Sequence, residues 1–269
     1  MFEITDPARA ADIRMRRRRA FWLLVGTGVA IAVISGGNDK AVLAPKFTQG
    51  VAAPTLSATG DSLTLALPCA GSIRLVPQPG LNDKVLVDGG DTRGLHLSGG
   101  SQMVLQGDCA GGAPDLVVHA PASMMLTIAQ SGATDLTLGD FTGAVHLSIH
   151  GSGDVVIARA GALDGTMTGS GDLTVARLDG DLHLSHSGSG DIVIRHIQAA
   201  SVGLTATGTG DVLIRSGRID QFAAIMRGTG DLAVDAQVKD ASVQAGSESD
   251  VSLPHVTGRL ERSVPAQPR

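Results

Sequence analysis

The chain has 269 residues, of which 43% are hydrophobic and 17% are charged, and its formal net charge is −5. It contains 36 glycines but only 2% aromatic residues, with one Trp and no Tyr. Nucleic-acid binding needs a basic face for phosphates and aromatic rings for bases, so this composition argues against a nucleic-acid partner. A core built from Val, Leu, Ile and Ala favours thin, regular stacking over a bulky globular interior.

The N-terminal residues predict export through a membrane. Residues 1–19 form a basic tail with six arginines, and residues 20–37 are uncharged. These eighteen residues would span about 27 Å as a helix, close to the ~30 Å thickness of the hydrocarbon core. Because arginine-rich flanks stay in the cytoplasm, we expect a transmembrane signal anchor at 20–37 in the bacterial inner membrane, with the body in the periplasm.

A cleaved signal peptide is the alternative, and it would leave the body secreted or free in the periplasm. The apolar run is longer than the usual stretch of about 7 to 15 residues. A candidate cleavage site ends at Ala44, but Pro45 follows it directly and disfavours the cut. We therefore favour the uncleaved anchor, and both interpretations export the body.

Residues 38–60 are predicted to be a linker, because they carry Pro45, Pro54, Gly50 and Gly60 and lack an apolar period. Residues 61–130 contain looser alternating stretches that are typical of strands. We expect this region to form irregular first coils and the N-terminal cap. The predicted strands are 62–67, 73–75, 84–87, 95–97, 115–118 and 125–128.

A short motif, Gly-Ser/Thr-Gly-Asp, recurs between residues 131 and 255, and its aspartates are 18 to 20 residues apart. Apolar residues stand one and three positions after each Asp, and nine and seven positions before most of them, which is the period of strands. Two strands and a tight corner per repeat, without a helical period, predict an all-β fold, a parallel β-helix or β-solenoid. The aspartates are Asp135, Asp154, Asp172, Asp191, Asp211, Asp231 and Asp250.

Alternation along the strands predicts which motif positions face the core. The glycines fall on the inward side, where a Cβ at a tight corner would collide with the neighbouring coil. The Ser/Thr and the Asp fall on the outward side and are expected to form polar columns. The predicted structural glycines are Gly169, Gly171, Gly188, Gly190, Gly208, Gly210, Gly228 and Gly230.

With these repeats in view, residues 60–255 resemble the GIN-domain family, described as autotransporter-adhesin head domains of bacterial envelopes. The resemblance implies a β-solenoid on an exported, membrane-linked protein, with no assigned catalytic residues and no settled activity. One departure is Glu248, which lies in a terminal repeat that has lost both glycines. The motifs that carry the resemblance begin at Ser131, Gly151, Gly169, Gly188, Gly208 and Gly228.

The predicted Asp column needs something that offsets its charge, because carboxylates ~4.8 Å apart repel by about 1 kcal/mol in water. We favour hydrogen bonds from turn N–H groups. A basic column of Arg159, Arg177, Arg195 and Arg215 is a second interpretation. Bound Ca²⁺ is a third, although the Asp follows the last Gly directly here, unlike in the calcium-binding nonapeptide repeat. The weak candidate Ca²⁺ ligands are Asp154, Asp172, Asp191, Asp211 and Asp231.

Histidine and cysteine spacing indicates no preformed metal site. His146 and His183 take the same outward position in different coils, and we expect them to be solvated. His186 is the exception, since it takes an inward position. In an exported protein, Cys69 and Cys109 would close a disulfide loop; unpaired thiols are the alternative.

These patterns predict a non-catalytic envelope protein that acts as a structural or adhesive interaction module. Its expected partners are the inner membrane and an envelope protein or polysaccharide, and no cofactor is expected apart from the Ca²⁺ alternative. A carbohydrate-active envelope enzyme and a periplasmic ligand or ion sensor are the competing hypotheses. Residues 256–269 are predicted to be a disordered tail.

Overall fold

The computed structural model describes residues 56–66, 71–89, 95–100, 102–107, 115–246 and 248–263. The predicted cytoplasmic tail, the membrane anchor and most of the linker lie outside these residues, as do Cys69 and Cys109. Among the residues described, there is no helix of the length and apolarity that crossing a membrane requires.

The described part of the chain is all-β, with 22 strands. The first seven strands are β1 (Leu56–Thr59), β2 (Ser62–Ala66), β3 (Ser72–Pro77), β4 (Lys84–Gly89), β5 (Leu95–Ser98), β6 (Gln102–Gly107) and β7 (Leu116–Ala120). The next eight are β8 (Met125–Gly132), β9 (Asp135–Asp140), β10 (Ala144–Gly151), β11 (Val155–Ala160), β12 (Ala162–Gly169), β13 (Leu173–Leu178), β14 (Leu182–Gly188) and β15 (Ile192–Ile194). The last seven are β16 (Ile197–Gly208), β17 (Val212–Ile214), β18 (Gly217–Gly228), β19 (Leu232–Val234), β20 (Gln237–Ala245), β21 (Val251–Ser252) and β22 (Leu260–Ser263).

Two ladders of parallel strands build the solenoid. The even-numbered strands from β8 to β22 stack in order as ladder A, and the odd-numbered strands from β9 to β21 stack as ladder B. One coil consists of a strand from each ladder. In ladder A, Val145 pairs with Leu126 on one side and with Leu163 on the other, so equivalent motif positions align. The predicted β-solenoid arrangement is confirmed.

Alternating aliphatic side chains fill the space between the ladders. In ladder B, Leu173 and Ile192 are at most 1% exposed, and in ladder A, Leu163 and Leu182 are equally buried. Each such side chain contributes about 1.5 to 3 kcal/mol through the apolar surface that it removes from water. A single coil exposes the top and bottom of this core, so stability requires stacked neighbours.

The first coils do not stack in chain order. The coil formed by β2 and β3 lies between the β6–β7 coil and the β8–β9 coil, because β2 pairs with both β6 and β8, and β3 with both β7 and β9. Antiparallel strands cover the β6–β7 coil: β4 pairs with β7, β5 with β6, and β1 with β4. These strands form the N-terminal cap. The pattern of the sequence did not identify β6.

Two boundaries differ from the prediction. Leu56–Thr59, assigned to the linker, forms β1 of the cap. Leu260–Ser263, assigned to a disordered tail, forms β22 on the edge of β20. All four side chains of β22 are exposed, so no apolar alternation marks this strand. Backbone bonds hold it instead, with Ala241 N–H donating to the Arg259 carbonyl at 2.8 Å.

Candidate functional site

The corner between the ladders is where neighbouring coils come closest. The first motif glycine has positive φ, as in Gly169 at +132° and Gly188 at +153°, a conformation that side chains disfavour. A Cβ on Gly169 would overlap the carbonyl oxygen of Gly151, and one on Gly171 would overlap that of Gly153. The second glycine is buried as predicted, but the first is only half-buried or exposed. The collision is therefore with the backbone of the preceding coil.

Each motif aspartate from Asp135 to Asp231 is a hydrogen-bond acceptor for the next coil. The backbone N–H of Asp172 donates to Oδ1 of Asp154 at 3.0 Å, and that of Asp191 donates to Oδ1 of Asp172 at 2.8 Å. The same bond links every neighbouring pair from Asp135 to Asp250. This is the turn capping that the sequence favoured.

The Asp column continues into the first coils through residues that the motif did not reveal. Strand β3 extends ladder B beyond β9, and there Ser72 pairs with Asp135. The hydroxyl of Ser72 donates to Oδ1 of Asp115 at 2.8 Å. In space the column therefore begins Asp115, Ser72, Asp135. Sequence alignment missed this order because the β2–β3 coil is inserted between two coils that follow it in the chain.

The predicted arginine column does not neutralise the Asp column. Arg159 and Arg177 both bind Asp179, which lies outside the column, with Nε–Oδ distances of 2.7 Å. Burial alone would raise the pKa of Asp179, but hydrogen bonds from the two guanidinium groups outweigh it and hold that pKa below its usual value. Arg195 and Arg215 form no ion pair among the described residues.

The hydrogen bonds outweigh the repulsion along the column. A bond to a charged acceptor contributes about 1.5 to 3 kcal/mol, whereas neighbouring carboxylates in water repel by about 1 kcal/mol. Most column aspartates are exposed and the rest are half-buried, so solvent screens them. Among the described residues, no three His, Cys, Asp or Glu side chains are gathered as a ready metal site.

A hydroxyl column runs beside the Asp column. Its members are exposed, and their backbone N–H groups donate to the glycine carbonyls of the preceding coil at 3.0 to 3.1 Å. The backbone is thus satisfied within the fold, and all members but Thr229 lie along one open, nearly flat surface. The column consists of Ser152, Ser170, Ser189, Thr209 and Thr229.

The histidines divide as the alternation predicts. His146, His150 and His183 are exposed, whereas His186 is 2% exposed at an inward position, in register with Met167 and Ala206. Burial lowers the pKa of His186, and the charges of Asp191 and Asp172 only partly oppose this effect.

The model of a known family matches the C-terminal coils. The model of the family described as "Putative auto-transporter adhesin, head GIN domain" matches residues 177–266. The resemblance of the repeats to the GIN-domain family is thus confirmed for residues 177–266. The matched residues contain four of the seven motif aspartates, Asp191, Asp211, Asp231 and Asp250, whereas the same strand register extends back to β8.

Solved structures with a similar arrangement have low sequence identity to this chain. A putative adhesin from Bacteroides fragilis is 16% identical, with a TM-score of 0.48 over 78% of this chain and 96% of that chain. A putative lipid binding protein from Parabacteroides distasonis is 11% identical, with a TM-score of 0.40 over 78% and 96%. No curated protein matches the sequence.

Substitutions at Asp191 separate its hydrogen bond from its charge. In the structure, the Asp211 N–H donates to Oδ1 of Asp191 at 2.9 Å. Asp191→Ala removes this acceptor and should lower the free energy of unfolding by about 1 to 3 kcal/mol. Asp191→Asn keeps an acceptor oxygen and should lose less than half as much. Urea denaturation measures both, with Asp235→Ala, an exposed Asp outside the column, as control. Equal losses for Asn and Ala would contradict the capping role.

Burial of His186 predicts a pH-dependent stability. Folded His186 binds its proton less tightly than unfolded His, whose pKa is about 6.5, so the unfolded chain takes up more protons in acid. Stability should fall as pH drops below about 6.5 toward the folded pKa. His186→Met, which matches Met167 and Met226 in the same column, should flatten this fall in thermal melts between pH 7.5 and 5. The control is His255→Met, at an exposed histidine. If the unmodified chain and His186→Met lost stability in parallel as the pH fell, burial of His186 would not be the cause.

Proposed function

We propose that this chain is an exported cell-envelope protein whose β-solenoid is a non-catalytic adhesive or structural interaction module. The observation that carries the proposal is the unbroken register from β8 to β20, which aligns equivalent outward side chains in columns. A surface that repeats at ~4.8 Å suits a partner that is itself repetitive. Many weak, equivalent contacts then add up to strong binding.

The hydroxyl column is the part of this surface that we assign to binding. Its members are exposed and uncharged, and their backbone N–H groups already bond to the preceding coil, so backbone pairing does not need the hydroxyls. Hydroxyls both donate and accept hydrogen bonds, as the hydroxyls of polysaccharides do. An envelope polysaccharide is therefore the partner that we favour, with an envelope protein as the alternative.

The Asp column supports a non-catalytic role. A regular row of carboxylates resembles the acid and base groups of glycoside hydrolases. Here, however, each carboxylate from Asp135 to Asp231 accepts a backbone N–H from the next coil, and this role alone accounts for the residue. The family description of the matching domain, an adhesin head, agrees with this interpretation.

Features of the N-terminal sequence support the proposed location. The arginine-rich residues 1–19 and the uncharged residues 20–37 favour a single-pass inner-membrane protein with its solenoid in the periplasm. Cleavage after the apolar segment would release the same solenoid. Both arrangements place the columns in contact with envelope components.

The experiment compares binding to polymer with binding to its fragments. The full chain, purified in detergent, is immobilised and exposed to isolated envelope polysaccharide and to short oligosaccharides cut from it. Binding to the polymer should be at least about 100-fold tighter, because several coils bind it at once. A triple variant, Ser152→Glu with Ser170→Glu and Ser189→Glu, should weaken polymer binding at least about tenfold.

The matched control carries the same added charge on another exposed part of the solenoid, as Gln198→Glu with Gln221→Glu and Gln237→Glu. It should bind like the unmodified chain. Absence of polysaccharide binding, or equal loss in both triple variants, would refute the polysaccharide role of the hydroxyl column. Release of soluble sugar that Asp172→Asn and Asp191→Asn abolish would instead establish an enzyme.

A further inference from the structure

The register of ladder A brings together three metal-binding residues that are far apart in the chain. His146 on β10 pairs with Asp164 on β12, and Asp164 pairs with His183 on β14. All three are exposed on the outward face of the ladder. We propose that His146, Asp164 and His183 form a binding site for a divalent transition metal such as Zn²⁺.

The chemistry of the three side chains fits this class of metal. Two imidazoles and one carboxylate suit Zn²⁺ and its neighbours in the first transition row, whereas Ca²⁺ and Mg²⁺ prefer oxygen ligands alone. Three protein ligands leave a coordination position for water or for a group on a partner. The site is separate from the Asp column, whose carboxylates bind backbone N–H groups.

Strand spacing places the ligands within reach of one ion. Adjacent parallel strands lie ~4.8 Å apart, so the two His Cα atoms are about 9.6 Å apart with Asp164 midway between them. For one ion to lie over the carboxylate at the ~2.0 to 2.2 Å that Zn²⁺ requires, the two imidazoles must lean toward Asp164 from both sides. In the structure, no three His, Cys, Asp or Glu side chains among the described residues are already close enough to bind one metal ion. Binding therefore requires these exposed side chains to rotate, at a cost in rotamer entropy.

Small residues flank the three side chains in the column. Thr127 precedes His146, and Gly203 follows His183. A Cβ on Gly203 would come within 2.9 Å of Nδ1 of His183, so the ring now lies toward Gly203, on the side away from Asp164. Metal binding therefore requires the His183 ring to turn back toward Asp164. Asp181, two residues before His183, uses Oδ1 to accept the Ser201 N–H at 2.8 Å, so its carboxylate serves the backbone.

The test titrates Zn²⁺ into the untagged, metal-stripped full chain by calorimetry and thermal melting. We expect saturable binding of one ion and a raised melting temperature, since the ion binds only the folded register. His146→Ala, Asp164→Asn and His183→Ala should each weaken Zn²⁺ binding at least about tenfold. His150→Ala is the matched control, because His150 is an exposed histidine on the same strand as His146 in a different column.

The proposal is overturned if the chain binds no Zn²⁺ stoichiometrically, or if His146→Ala and His183→Ala bind it as tightly as the unmodified chain. It is also overturned if His150→Ala weakens binding as much as they do, which would indicate general binding by surface histidines. Circular dichroism of each metal-free variant shows whether the solenoid has folded. Because Asp164→Asn keeps the size of the side chain, it tests the site even where a histidine variant folds poorly.

Discussion

Backbones of successive coils touch at the Gly-Ser/Thr-Gly-Asp corner, where no Cβ fits between them. At Gly151, Gly169 and Gly188 an added Cβ would overlap the carbonyl oxygen of the preceding coil, and φ is positive as well. From Gly151 to Gly228 each coil repeats the glycine at the same place, so the corner sets the register of both ladders. The aligned aliphatic core and the outward columns follow from that register.

The motif aspartate completes the corner. Its backbone N–H lies where the chain turns between the ladders, and the carboxylate of the preceding coil supplies the acceptor. The same device appears at a second corner, where Asp181 accepts the Ser201 N–H and Asp240 accepts the Arg259 N–H. The most repetitive residues thus serve folding. We therefore place function on the outward residues that backbone pairing leaves free, such as the hydroxyl column and the His146, Asp164 and His183 group.

Local periodicity was enough to predict the solenoid and the two sides of its strands. Alternation around Asp172 and Asp191 correctly placed the apolar residues inward and the carboxylates outward. The stacking of the β2–β3 coil between later coils was not predictable, because it depends on packing between distant segments. The predicted role of Arg159 and Arg177 in offsetting the Asp column was likewise wrong, because their partner, Asp179, lies outside the motif. The exposed strand β22 has no alternation to detect, and Asp164 joins the two histidines only through the register.

The most direct test of the account measures the stability of Gly169→Ala against that of Gly246→Ala by urea denaturation. Gly169 has positive φ and no room for a Cβ, whereas, among the described residues, a Cβ on Gly246 would meet only the Gly228 carbonyl oxygen, at 3.9 Å. We predict that Gly169→Ala lowers the free energy of unfolding by about 3 kcal/mol or more. Gly246→Ala should change it by less than about 1 kcal/mol. Equal, small effects of the two substitutions would contradict the claim that close backbone contact at the corner fixes the fold.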